Sequence, residues 1–122
     1  MSDNTLFELT LFDPENSLIS LLESRDIKIR KLPVTRKFVV ALDETIEIVG
    51  SDDNEALNRN LASIFIEWLK NKKYRKIQGQ LKDSSIVYIS DNNIEEIKKI
   101  LKIVLKITAF DPEYNNQIIN KR

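Results

Sequence analysis

The chain has 122 residues, 42% of them apolar and 31% charged, with 19 basic and 19 acidic side chains that cancel to a net charge of zero. That is enough chain for one domain with its own core, and the charge balance disfavours a dedicated nucleic-acid binder. Cysteine and histidine are both absent, which removes disulfides, thiolate metal sites and histidine-based acid–base or triad chemistry, and points to a reducing, cytoplasmic setting. With only two glycines, a glycine-rich phosphate loop cannot be built. Met1–Thr5 carries no basic stretch leading into an apolar one, and no apolar run reaches the roughly 18 residues of a membrane span.

Thr5–Phe12 alternates Phe7, Leu9 and Leu11 with Glu8 and Thr10 and is predicted to be a strand. Asp13 suits a helix N-cap and Pro14 the first helical position, so a helix is expected over Pro14–Ser24. Arg25-Asp26 turns the chain into a second strand, in which Ile27 and Ile29 alternate with Lys28 and Arg30. The segment 36–49 is β-rich by composition, yet Phe38, Leu42, Ile46 and Val49 fall within an arc of about 80° on a helical wheel. A helix is expected there, ended by Gly50 in the left-handed conformation.

Ser51–Lys70 carries the strongest amphipathic pattern. Leu57, Leu61, Ile64, Phe65, Trp68 and Leu69 share one face, and Asp52 with Glu55 can cap the start. With the helix before it, this makes a hairpin hinged at Gly50-Ser51. Lys76–Ser90 reads as a β-hairpin turning at Asp83-Ser84, with Gly79 at a bulge or close backbone approach. Both faces of its second strand are apolar, which predicts an interior position in the sheet. A last helix, capped by Asp91, is expected from Asn92 to about Ile107. Together these give an α+β fold in the order β-α-β-α-α-β-β-α, with helices mainly on one face of a sheet of about four strands. Residues 1–110 form the domain and 111–122 a tail.

Few constellations suggest chemistry. Asp52/Asp53 and Glu95/Glu96 sit at helix starts, where capping and dipole terms account for them. No catalytic, cofactor or metal set emerges. Lys70, Lys72, Lys73, Arg75 and Lys76 crowd the end of the central helix, where cations complement the helix dipole and could also meet an anionic partner. The apolar arc of the last helix spans about 200°, more than one packing partner needs. Ile100, Ile103 and Ile107, with Ile66 on the central helix, are therefore candidates for a protein or self-association interface. Gly50, Trp68 and Leu69 are read as structural.

The run Ala41-Leu42-Asp43 with Ile46, Ile48 and Val49, then Gly50-Ser51, then a helix with Ala56-Leu57, Leu61-Ala62 and Trp68-Leu69 followed by basic residues, resembles the effector-associated constant component 1 family of bacterial conflict-system proteins. The hairpin Ile77-Gln78-Gly79 to Ile86-Val87-Tyr88 and the closing Ile94–Leu101 helix extend the resemblance over roughly residues 38–105. Asp52-Asp53 and Asp83-Ser84 stand where the family pattern has glycines. The resemblance implies a non-catalytic adaptor that couples an effector, such as a peptidase, to a sensor through protein contacts. Two other readings are a small nucleic-acid-binding protein using the 36–73 helical hairpin and a phage-encoded inhibitor of a host enzyme.

Overall fold

The structure, a computed structural model, describes residues 5–31, 44–90 and 93–113. Six strands and three helices follow one another as β1 (Thr5–Phe12), α1 (Ser17–Ser24), β2 (Ile29–Lys31), β3 (Glu44–Val49), α2 (Asn54–Asn71), β4 (Lys76–Leu81), β5 (Ile86–Ile89), α3 (Ile94–Leu101) and β6 (Val104–Phe110). The strands form one mixed sheet in the order β2-β3-β1-β6-β4-β5. β1 and β6 are parallel neighbours at its centre, and every other pairing is antiparallel.

Period-two patterning builds the core. Ile46, Leu9, Ile107, Gly79 and Val87 stand side by side across five strands, and Leu11, Ala109, Ile77 and Ile89 form the next row. Against them pack Leu18 and Leu22 of α1, Leu61, Ile64, Phe65 and Trp68 of α2, and Ile97 and Leu101 of α3. α2 lies between α1 and α3 and touches both. Gly79 leaves room for a neighbouring side chain rather than for backbone: a Cβ there would meet Val104 Cγ2 at 3.0 Å.

The α+β class holds, and the sheet has six strands rather than four. Glu44–Val49 is a strand, so no helical hairpin hinges at Gly50, and neither glycine has a positive φ. Of the expected stripe, Phe38 and Leu42 lie outside the described residues, while Ile46 and Val49 belong to β3, where Ile46 and Ile48 share one buried strand face. The remainder of the 36–49 segment lies outside the described residues, as do Asp91 and the tail beyond Glu113.

The expected helix 92–107 is two elements. α3 stops at Leu101, and β6 turns Val104, Ile107 and Ala109 into the core. The 200° arc was the sum of a helical and an extended pattern: Ile97, Leu101, Val104 and Ile107 are buried, and of the arc only Ile103 and Leu105 stay exposed. Among the described residues β5 is an edge strand, not an interior one, because β6 takes the place on the other side of β4.

Caps also move. Asp53, not Asp52, accepts the Ala56 N–H at 3.1 Å, and Asn93 accepts that of Glu96 at 2.9 Å. Asn16 is the N-cap of α1 with a left-handed backbone, and Pro14 sits in the turn before it. α1 ends in a Schellman pair, Ile27 N–H to Leu22 C=O at 3.0 Å and Asp26 N–H to Glu23 C=O at 3.1 Å, with Asp26 at φ 60° where glycine is commonest.

Candidate functional site

The polar centre of the molecule lies where the central parallel strands end. β1 runs into Phe12-Asp13-Pro14-Glu15 and β6 into Phe110-Asp111-Pro112-Glu113. The parallel register sets Thr10 beside Thr108 and Phe12 beside Phe110, so two copies of one tetrapeptide leave the sheet together. The Asp111 N–H donates to the Phe12 carbonyl at 2.9 Å and carries the pairing one residue further.

Both aspartates are buried, and each carboxylate organises a neighbouring element. Asp13 accepts the Leu18 N–H at 2.8 Å and the Ser17 hydroxyl at 3.2 Å, which satisfies the first turn of α1. Asp111 accepts the Glu113 N–H at 2.8 Å and the Arg75 Nε–H at 2.9 Å. The Arg75 guanidinium, 4.3 Å from the Trp68 ring centroid, also donates to the Trp68 carbonyl at 2.8 Å and to Ser17 Oγ at 3.1 Å. Ser17 Oγ in turn accepts the Trp68 Nε1–H at 2.9 Å. The network Asp13–Ser17–Trp68–Arg75–Asp111 thereby ties β1, α1, α2, β4 and β6 together.

A serine beside an aspartate invites a nucleophile reading, but the geometry opposes it. Two N–H donors occupy the lone pairs of Ser17 Oγ, and its proton is directed at Asp13. A hydroxyl held this way is a junction and is not poised for attack. Among the described residues, no group of three His, Cys, Asp or Glu side chains could hold a metal ion.

Next to this network, on the other side of the sheet, Phe12, Lys76, Gln78, Tyr88, Thr108 and Phe110 line an open cleft of about 350 Å³. Phe12 and Phe110 stand with ring centroids 6.3 Å apart. Thr10 and Thr45 hydroxyls meet at 3.3 Å further along that side, and Arg30 pairs with Glu47 at 2.7 Å.

The expected site residues are dispersed. Ile107 is fully buried in β6 and cannot form an interface. Ile100 and Ile66 are half-buried and pack on the core. Ile103, in the turn before β6, is 49% exposed. The basic patch breaks up as well. Arg75 belongs to the buried network, and Lys72 pairs with Glu15 at 2.7 Å, an ion pair that raises the lysine's pKa. Lys70, Lys73 and Lys76 remain exposed. Trp68 is buried, as its structural reading required, and Leu69 half-buried.

A second ion cluster, also unforeseen, joins α2 to α3. The buried Lys98 Nζ meets Glu55 and, at 3.6 Å, Glu95, while Lys102 reaches Glu55 at 3.4 Å. The Lys98 hydrogen bond first, and the charge of Lys102 next, hold the Glu55 carboxyl below the usual carboxylate range.

Sequence reasoning missed the network because its members are scattered over about a hundred positions. The tetrapeptide Phe-Asp-Pro-Glu, occurring twice after strand-like runs, was the signal that could have found it. These features define a mixed-sheet α+β protein with a buried polar tie at its centre. No family model matches the chain, and no curated protein or solved structure is significantly similar to it.

Proposed function

We propose that the protein is a non-catalytic interaction module, an adaptor that couples an effector such as a peptidase to a sensor in a bacterial defence system. One observation supports it best. Among the described residues five large apolar side chains are exposed; Ile86, Tyr88 and Leu105 lie in the β6-β4-β5 half of the sheet and Ile103 in the turn that leads into β6. The effector setting rests on the resemblance of residues 38–105 to effector-associated constant components.

The topology suggests why that half is open. β1-α1-β2, β3-α2-β4 and β5-α3-β6 each join parallel-running strands of the sheet. A right-handed crossover from an up-strand moving leftward and one from a down-strand moving rightward use the same face. We therefore place all three helices on one face, leaving Ile86 and Tyr88 on the other. Ile103 and Leu105 flank the entry into β6, where the register shifts opposite Gln80 and Leu81.

The test is direct binding between the purified protein and the peptidase-like product of a neighbouring gene, read by titration calorimetry. Ile103→Lys with Leu105→Glu is expected to weaken binding at least about tenfold without changing the unfolding midpoint. Undiminished binding by a folded double variant would remove the surface from the proposal.

A further inference from the structure

Among the described residues β5 is a sheet edge with neither charge nor proline to blunt it. Exposed edges are normally blunted by charge, proline, bulges or shortness. The opposite edge follows that rule: β2 has three residues, and two of them are Arg30 and Lys31. β5 does not. Ser84-Ser85-Ile86-Val87-Tyr88-Ile89-Ser90 contains neither a charged residue nor a proline, and its pairing with β4 is regular.

The ladder shows which backbone groups point outward. Leu81 N–H bonds to the Ser85 carbonyl at 2.9 Å, so Ser85 is in a hydrogen-bonded pair with Leu81. Alternation then turns the backbone groups of Val87 and Ile89 toward β4 and those of Ile86 and Tyr88 outward. Among the described residues β5 has a strand neighbour on one side only. The same two residues carry exposed side chains, Ile86 at 47% and Tyr88 at 67%.

We propose that this edge binds a second copy of the chain, with β5 pairing antiparallel to β5 of the copy about a two-fold axis through Val87. The register follows from the outward groups. Centring on Val87 sets Ile86 opposite Tyr88 of the copy twice over, and each such pair exchanges two backbone hydrogen bonds. Within Ile86–Ile89, centring on Ile86 or Tyr88 instead makes only one such pair. In the favoured register each Ile86 side chain lies over a Tyr88 ring, a favourable β-branched–aromatic cross-strand pair. Ser84 falls opposite Ser90, and no like charges meet from 84 to 90. An isologous contact of this kind closes on itself and leaves the β2 edges outermost, where Arg30 and Lys31 discourage further growth. The dimer shares Ile86 and Tyr88 with the surface of the proposed function but needs neither Ile103 nor Leu105 nor the effector setting.

The test is sedimentation of the full chain from micromolar to millimolar concentration, together with cross-linking. The chain has no cysteine, so Val87→Cys introduces one thiol at the dyad. Rapid oxidation of that variant to a disulfide-linked dimer, with Ile103→Cys lagging well behind, supports the proposal. Equal rates overturn it. Ile86→Pro removes an outward N–H at the first strand position, which leaves the β4 ladder whole. It deletes two bonds per dimer and is expected to weaken dimerisation about thirtyfold. If its circular dichroism shows lost structure, Tyr88→Lys replaces it, since the exposed side chain can change without touching the core. A wild-type chain that stays monomeric throughout, or a folded variant that dimerises as well as wild type, overturns the proposal. Effector binding by a strictly monomeric chain would sink the dimer and leave the adaptor reading standing.

Discussion

Arg75 is the residue on which most of the buried polar structure converges. Its guanidinium and the Asp111 carboxylate are each 2% exposed. Truncating one partner of such a pair leaves the other charge buried and unmatched, a loss of about 3–5 kcal/mol. Arg75→Ala is therefore expected to lower the free energy of unfolding by that amount in denaturant titration. Asp111→Ala should cost about as much, and the double variant much less than the sum. Additive losses would show that the two charges are not coupled.

Glu55 provides a pH signature at the same scale. Its folded-state pKa lies below the unfolded value, chiefly through the Lys98 hydrogen bond. Such a group stabilises the fold at pH values above its unfolded pKa, and the contribution is lost as the pH falls through the folded pKa. Wild type is expected to exceed Glu55→Gln in stability at neutral pH. The two should converge in acid, below the usual carboxylate range. A gap that persists there would mean Glu55 acts by packing and not by charge.

At the scale of elements, the β4–β6 contact sets the tightest steric condition. Gly79 faces Val104 Cγ2 at 3.0 Å from where a Cβ would stand, and a β-branched side chain has little freedom to turn away. Gly79→Ala is expected to destabilise by about 1–3 kcal/mol. Shortening the neighbour with Val104→Ala should relieve part of that strain, so the pair should be less costly than the sum of the singles. At the start of α2, Asp53→Ala should cost about 1 kcal/mol through loss of the Ala56 cap, whereas Asp52→Ala should be nearly neutral.

For the whole molecule, the decisive placement is that of β6. It is the last strand in sequence and lies between β1 and β4 in the sheet. Removing residues 104–122 withdraws Val104, Ile107 and Ala109 from the core and leaves β1 and β4 facing a gap. That truncated chain is expected to lack a cooperative unfolding transition by circular dichroism. A cooperative transition would place the folding core in residues 1–103 alone.

What the sequence by itself determined was local. Alternation in Thr5–Phe12 specified β1, the apolar stripe from Leu57 to Leu69 specified α2, and polar turn residues marked the β4–β5 hairpin. These patterns are long or pure enough to fix a period without help from partners. Residues 44–49 and 104–107 were misread as helix because a short apolar run satisfies both a helical and an extended period, whereas the helix expected ahead of 104–107 is present as α3. The choice fell to the sheet: Ile46 and Ile48 are strand residues because β1 and β2 offer partners on both sides, and Val104–Phe110 because β1 and β4 leave a slot between them. The buried tie between Asp13, Ser17, Trp68, Arg75 and Asp111 was decided only in three dimensions. Charge in a sequence defaults to solvent, and burial becomes tolerable only when folding brings every donor and acceptor to a partner.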